Sequence, residues 1–341
     1  MAFLYHVKIP VTASADGAQT SYQMKLTIVK GTGSNVAGTI YLNNHAENWP
    51  YDIQFKNAFG TVMDYWREEY DATDMTVWVE CDSIAASGDT DFYLFYGDAG
   101  ASDASDGNDT FIFYNDCSDL SDWDTYTAGS GSLSISSGRI KFHNLAGNQN
   151  QSSIASKTPV MGATGGVATH FTIRLEGTND YTLAFYLSPT TLNNAAGDNG
   201  HSVQDFANYS GYGTTHAMRD GGSLLFAVEY GSVLSLNTDY KVEVRSKSGN
   251  QSYLVNGISR DSQTQNYDFD SPSYLTFFTA AAWNTKGTYY IDDVYVRKWT
   301  YNEPAWASPG SEESAGIDFD SLLFFPRKYR GPDDLSFLEL S

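Results

Sequence analysis

Apolar and polar residues alternate along most of this chain, and the period is two. Phe3, Tyr5, Val7, Ile9 and Val11 alternate with Leu4, His6, Lys8 and Pro10, and Met24, Leu26 and Ile28 repeat the pattern. Val77–Val79 and Phe92–Tyr96 are short apolar runs bounded by Asp, Ser and Gly. Further on, Ile140 and Phe142; Val167, Phe171, Ile173 and Leu175; Tyr181, Leu183, Phe185 and Leu187; and Tyr240, Val242 and Val244 each mark one buried face. A side chain repeats its face every second residue only in a strand, so each of these stretches predicts one. Asn256-Gly257, between two such stretches, is a hairpin signal, because both residues tolerate positive φ. No segment holds a helical period; Ala58–Arg67 has room for a turn. The pattern predicts an all-β chain of two β-sandwich, jelly-roll-like domains, residues 1–112 and 113–300. The small polar stretch Ala99–Asp109 reads as the loop joining them. Pro304, Pro309 and Gly310 break the pattern, and residues 301–341 read as an extended tail. Its apolar clusters, Leu322–Phe325 and Phe337–Leu340, are too short to fold alone and are expected to dock on the chain's own domains or on a neighbour.

Composition narrows the classes of function. The 341 residues carry 24 Tyr and 19 Phe, which favour pleated surfaces. Against 20 Lys plus Arg stand 41 Asp plus Glu, a net charge of −21. Phosphate recognition relies on basic patches, so no nucleic-acid partner is expected; cation binding fits the charge. Cys81 and Cys117 fall in different predicted strands and are expected to stay free, and no Cys/His spacing suggests zinc. No stretch approaches the ~20 apolar residues of a membrane helix. The first residues read as a strand rather than an export signal. A virion protein released by lysis, or a surface protein whose leader was trimmed, reconciles that start with an extracellular composition.

Two acidic, aromatic motifs bracket the second predicted domain: Phe113-Tyr-Asn-Asp-Cys-Ser-Asp-Leu-Ser-Asp-Trp123 and Tyr289-Tyr-Ile-Asp-Asp-Val-Tyr-Val-Arg-Lys-Trp299. As first and last strands of a jelly roll they are expected to lie side by side and to share a cation. Asp116 and Asp119 with Asp292 and Asp293 are the candidate calcium ligands, since calcium takes six to eight oxygens. Solvated acids that end strands are the other reading of the same four residues.

The first third carries a resemblance. Tyr5-His-Val-Lys-Ile-Pro-Val11, Ser21-Tyr-Gln-Met-Lys-Leu26, Trp66, Met75-Thr-Val-Trp-Val-Glu80 and Phe92-Tyr-Leu-Phe-Tyr-Gly97 lead to Ala104-Ser-Asp-Gly-Asn-Asp-Thr-Phe-Ile-Phe113. In that order they resemble a prokaryotic domain of unknown function found in archaeal and bacterial surface proteins and some viral ones. The sequence departs from it at Thr39–Asn48, where an Asp-rich stretch gives way to Ile-Tyr-Leu-Asn-Asn-His. Residues 113–300 resemble concanavalin-A-like lectins and laminin-G modules in strand rhythm and in the bracketing motifs. The resemblance implies a surface location and a glycan-binding unit; the family has no established activity.

The long loop-like stretch Leu192–Gly222 is the expected ligand site. Its Asp205, Asn208, Tyr209, Tyr212, His216 and Arg219, joined by Trp283 and Asn284, offer aromatic faces for sugar rings and hydrogen-bonding groups for hydroxyls. Packing against another subunit is the competing role for this loop. Catalysis is not expected: a glycosidase needs two flanking carboxyls, and neither a Glu-x-Asp-x-Glu strand nor a Gly-x-Ser-x-Gly elbow is present. The chain therefore reads as a non-catalytic protein of a virion (a tail fibre of an archaeal or bacterial virus, for example) or of a cell surface. It would bind glycan, assemble as a homo-oligomer and contact other subunits through its tail. A ligand-free structural subunit and a polysaccharide-degrading enzyme are the alternatives.

Overall fold

The computed structural model describes residues 3–145, 151–161, 165–176, 183–188, 200–205, 214–220, 223–230, 234–265, 273–279 and 287–315. The chain opens with β1 (Tyr5–Thr12), β2 (Gln19–Val29), β3 (Thr39–Tyr41), β4 (Ile53–Asn57), β5 (Val62–Met63), β6 (Tyr65–Tyr70), β7 (Asp74–Ile84) and β8 (Asp89–Tyr96). A short helix, α1 (Gly107–Thr110), leads into β9 (Phe113–Asn115), β10 (Trp123–Ala128), β11 (Ser132–Ser136), β12 (Arg139–Asn144) and β13 (Gln151–Ser156). Then come β14 (Gly166–Glu176), β15 (Leu183–Ser188), β16 (Gly200–Asp205), β17 (Thr214–Asp220), β18 (Ser223–Tyr230) and β19 (Asp239–Lys247). β20 (Asn250–Val255), β21 (Ile258–Gln263), β22 (Tyr274–Thr279), β23 (Gly287–Trp299), β24 (Ala305–Trp306) and β25 (Glu312–Ser314) complete it.

These strands build two sandwiches. In the first, the sheet β24-β1-β8-β4-β5, with β25 also on β1, faces the sheet β3-β2-β7-β6. Its core joins Val7, Ile9, Val11 and Leu94 to Leu26, Ile28, Val77 and Val79, all essentially inaccessible to solvent, as the period-two pattern required. In the second, the seven-stranded sheet β10-β13-β22-β15-β16-β17-β18 faces β11-β12-β23-β14-β19-β20-β21, with β9 added to β23. Ile140, Phe142, Phe171, Ile173, Ile291 and Val296 meet Ile154, Phe185, Leu187 and Phe277 between the sheets. Each such side chain removed from water contributes about 1.5–3 kcal/mol before entropy is set against it. The architecture is all-β. The bracketing motifs do pair, in the register Asn115↔Val294, Tyr114↔Tyr295 and Phe113↔Val296.

Other local readings are changed by contacts distant in sequence. Residues 301–315, read as tail, return to the first sandwich, where Trp306 pairs with Val11 and Ser314 with Tyr5. The edge of β1 is the reason: its unpaired amides are satisfied by the returning chain. Glu312 accepts hydrogen bonds from Tyr96 Oη at 2.5 Å and His45 Nδ1 at 2.9 Å. Residues 316–341, with the two apolar clusters, lie outside the described residues. The second sandwich is thus an insert, entered through residues 107–112 and left through 300–304. The joining loop is fastened as well. Arg67 forms a two-pronged pair with Asp103 at 3.2 and 2.7 Å, and Asp106 caps α1 by accepting the amides of Asn108 and Asp109. Four residues of helix are too few to show a period, so the loop concealed them. Cys81 and Cys117 are free and buried. Among the described residues no helix is long and apolar enough to cross a membrane.

Candidate functional site between the two sandwiches

The faces that join the sandwiches are aromatic and charged. Trp66 and Trp78 of the first pack with Phe111 and with Tyr295 of the second; the Phe111 and Tyr295 rings stack at 4.6 Å between centroids. Gln23, almost wholly buried, ties the seam by donating to Thr110 O (2.9 Å) and accepting from the Lys298 amide (2.9 Å). Beside this seam opens a cavity of about 360 Å³ lined from both sides. The first sandwich contributes Lys25, Glu68, Glu69 and Trp78; the second contributes His170, Lys241, Glu243, Arg245, Asp293 and Arg297, among others.

Two β-bulges aim acids at this cleft. On β6, Arg67 faces Val77 and Glu69 faces Thr76, so Glu68 is the extra residue. On β23, His170 faces Tyr295 and Thr172 faces Asp292, so β23 carries one residue more than β14 there. Asp293 adopts φ +47°, a left-handed conformation that an Asp tolerates at some cost. The extra residue keeps Ile291 and Val294 in the core while Asp293 escapes to the rim. Bulges re-aim side chains in this way and recur next to binding sites.

The charges are paired across the junction. Glu68 accepts from Lys25 Nζ at 2.7 Å, Lys241 Nζ at 3.0 Å and Trp78 Nε1 at 3.0 Å. Burial works against its ionised form, but the two lysines hold its carboxyl below the usual range. Glu243 accepts from Arg245 Nε at 2.6 Å and Arg297 Nη2 at 3.2 Å. Burial opposes its charge too, yet the Arg297 and Arg245 guanidinium groups hold it below the usual carboxylate range. Arg297, 3 % exposed, also donates to Glu303 Oε2 at 2.6 Å, and the Tyr22 hydroxyl donates to the same oxygen at 2.8 Å. His170 stacks on Tyr295 with centroids 4.5 Å apart. Its Nε2 accepts from Arg297 Nε at 3.2 Å, and burial, joined by the Arg297 charge, lowers it to about 3, so it is neutral. Asp293 is the odd member. Solvent reaches it, yet desolvation at the rim and the charge of Asp292 push its carboxyl up to about 6. The result is an aromatic floor, walls whose paired groups keep spare donors and acceptors, and one carboxyl that changes charge near neutrality.

Three of the four expected calcium ligands have other partners. Asp116 is exposed and accepts from Ser118 N (3.0 Å) and Oγ (2.7 Å); Asp119 is exposed and accepts from Ser121 N (2.7 Å). Asp292 pairs with Arg139 Nε at 3.0 Å, and Asp293 faces the cleft. Local turns and an arginine consume these carboxylates, and among the described residues no three His, Cys, Asp or Glu side chains group as a metal site. Of the expected ligand loop, His216 is fully buried inside the second sandwich. Asp205 ends β16 and Arg219 lies on β17, their side chains outside the described residues; Asn208, Tyr209, Tyr212, Trp283 and Asn284 lie outside them altogether. Of the expected site residues whose side chains are among the described ones, only Asp293 reaches the cleft. Glu68 carried no sequence signal. Asp293 did: in Ile291-Asp-Asp-Val294 the apolar spacing slips from two to three and back, as a bulge requires.

Residues 49–126 match a domain of unknown function, DUF2341, which runs from the first sandwich across α1 into β10 of the second. A search of curated proteins finds no match. Among solved structures, the chain is similar to the carbohydrate binding module CBM66 from Bacillus subtilis at 12 % identity, over 52 % of this chain and 95 % of that one, with a TM-score of 0.37. It is similar to the metal-free Emp46p carbohydrate recognition domain at 13 % identity, over 54 % and 96 %, with a TM-score of 0.41. A Bacillus subtilis protein of unknown function with a galectin-like fold scores 0.42 at 11 % identity, over 55 % and 96 %. Likenesses this low transfer no ligand to this chain.

Proposed function

We propose that this chain is a non-catalytic saccharide-binding protein of a virion or cell surface, with its ligand in the cleft between the two sandwiches. The carrying observation is that two opposed bulges, Glu68 and Asp293, deliver polar groups to one aromatic-floored cavity shared by both units. A cavity of about 360 Å³ has the size of a small-ligand site. Lys241 and Arg245 reach it with side chains 57 % and 28 % exposed, leaving N–H groups for sugar hydroxyls. A net charge of −21 keeps so aromatic a chain soluble and fits the surface reading. Arg139 engages Asp292, and Asp116 and Asp119 accept from local turns, so binding is proposed without a metal.

The experiment is an array of microbial envelope glycans probed with the full chain and with Lys241→Ala/Arg245→Ala, with calcium and then chelator. Binding that survives chelation and falls about tenfold or more in the variant supports the reading, since each lost charged hydrogen bond is worth about 1.5–3 kcal/mol. Binding unaffected by the variant moves the site elsewhere, and silence from both proteins rejects the function. One observation favours hydrolysis as a second reading: environment separates Asp293, near 6, from the ionised Glu68 and Glu243, as an acid and base would be separated. Reducing ends released from a bound polymer, and lost in Asp293→Asn, would establish it.

A further inference from the structure

Strand β19 has two faces. Glu243 and Arg245 line the cleft, while Val242, Val244 and Ser246 are buried in the second sandwich. From Ser246 a line of polar side chains crosses that core. Its hydroxyl lies 2.6 Å from His201 Nδ1; His201 Nε2 lies 2.5 Å from His216 Nε2; His216 Nδ1 lies 2.6 Å from Asp261 Oδ2. Both imidazoles are 0 % exposed and Ser246 is 1 % exposed. The line runs from β19 in one sheet, through β16 and β17 of the other, and back to β21.

Hydrogen-bond directions follow from the end at Asp261. An ionised carboxylate only accepts, so His216 donates from Nδ1 and its Nε2 accepts. His201 then donates from Nε2, and its Nδ1 accepts the Ser246 proton. The two histidines are therefore opposite tautomers. One added proton is accommodated: it goes to His201 Nδ1, Ser246 turns to accept, and Asp261 balances the charge. A second has only His216 Nε2, where it would face another N–H at 2.5 Å. Donor opposes donor and two cations adjoin, so the rings must part.

We propose that the line Ser246–His201–His216–Asp261 is an acid-opened latch, clamping the two sheets of the second sandwich at neutral pH and releasing them when both imidazoles are charged. Burial holds His201 well below the usual histidine range, and it lowers His216 against the opposing pull of Asp261, so both stay neutral near pH 7. Among the described residues, the surroundings are these. β18 offers the Phe226 ring and β20 the Tyr253 ring. β21 offers Asp261 and Gln263, whose amide donates to both Asp261 oxygens, while the neighbouring Arg260 acts on Tyr240. On β19, Arg245 pairs with Glu243, and Lys247 with Asp16. The unfolded or opened chain takes up both protons at ordinary histidine pKa, about 6.5, and the closed one has room for at most one. The latch therefore weakens as pH falls below about 6.5.

Long-range 1H–15N spectra of the full chain at about pH 7.5 read the tautomers, and hydrogen exchange at about pH 7.5 and about pH 5, corrected for intrinsic rates, reads the clamp. Expected are an Nε2–H form for His201, an Nδ1–H form for His216, and protection lost in β16, β17 and β21 about tenfold or more beyond any loss in β2 and β7. Identical tautomers, an imidazolium at neutral pH, or exchange that changes equally in both sandwiches overturns the latch. In His201→Gln/His216→Gln the acid response of β16, β17 and β21 disappears; if that variant does not fold, the two wild-type measurements decide.

Discussion

At the residue scale, the junction depends on groups whose charge has few alternatives to its present partners. Arg297 donates to Glu303, Glu243 and His170 from a position 3 % exposed. Arg297→Met keeps the length of the side chain but leaves two carboxylates without their main cation. Removing one partner of a buried pair costs about 3–5 kcal/mol, and urea unfolding of the variant reads that loss directly. An unchanged midpoint would mean that solvent already supports Glu243 and Glu303. The same neighbourhood sets an acid response. His170 is neutral when folded, at about 3, against about 6.5 in an unfolded chain, so stability falls as pH drops below about 6.5. Glu243, held below its ordinary 4.5 by Arg297 and Arg245, contributes stability at higher pH that is lost below about 4.5. Urea midpoints taken from about pH 7.5 down to about pH 3 are expected to fall through both windows, and a flat profile would refute the assigned environments. No residue-scale property of this junction was legible in the sequence, because Arg297, Glu303, Glu243 and His170 become neighbours only once two sandwiches close on each other.

At the element scale, the sequence disclosed whatever has a period and concealed much of what interrupts one. The buried faces of β12 and β19 follow the alternation residue by residue, and those of β1, β2 and β14 follow it outside the buried runs Ile9–Val11, Tyr22–Met24 and Gly166–Thr169. Asn256 and Gly257 form the expected hairpin with φ of +50° and +74°. The β6 bulge escapes such a reading because Glu68 lies among polar residues, whereas the β23 bulge shows as a slip of the apolar spacing between Ile291 and Val294. β24 and β25 are too short to show a pattern at all. The β23 bulge lends itself to a pair of substitutions. Asp293→Gly relieves the left-handed backbone and removes the carboxyl, whereas Asp293→Val keeps the strain and adds a branched Cβ. The valine variant is expected to lose about 1–3 kcal/mol, and the glycine variant to stay within about 1 kcal/mol of the parent. Thermal melting separates them. Equal losses would show that the carboxyl, and not the backbone, stabilises the bulge.

At the scale of the whole molecule, one sandwich is inserted into the other, and the junction is expected to couple their stabilities. The sequence suggested a boundary at 113 and another at 300, and strand rhythm alone gives no reason to doubt it. The returning chain links the units: Asp16 accepts from the Asn302 amide at 3.0 Å, Ser14 donates to Asn302 O, and Glu303 serves Tyr22 and Arg297 together. Cutting the chain at 300 removes those partners and strips β24 and β25 from β1, leaving its edge open to pairing with other copies. Residues 113–300 alone would expose Tyr295, now 5 % accessible, and leave Arg297 without Glu303. Both fragments are expected to be less stable than the whole, and the 1–300 fragment to aggregate. The full chain is expected to unfold in one calorimetric transition whose van't Hoff and calorimetric enthalpies agree. Two transitions, with the isolated 113–300 unit melting where it melts in the full protein, would show that the junction transmits no stability. The cleft would then be a gap between independent bodies, and a ligand spanning it would have to supply the ordering that the junction is here expected to provide beforehand.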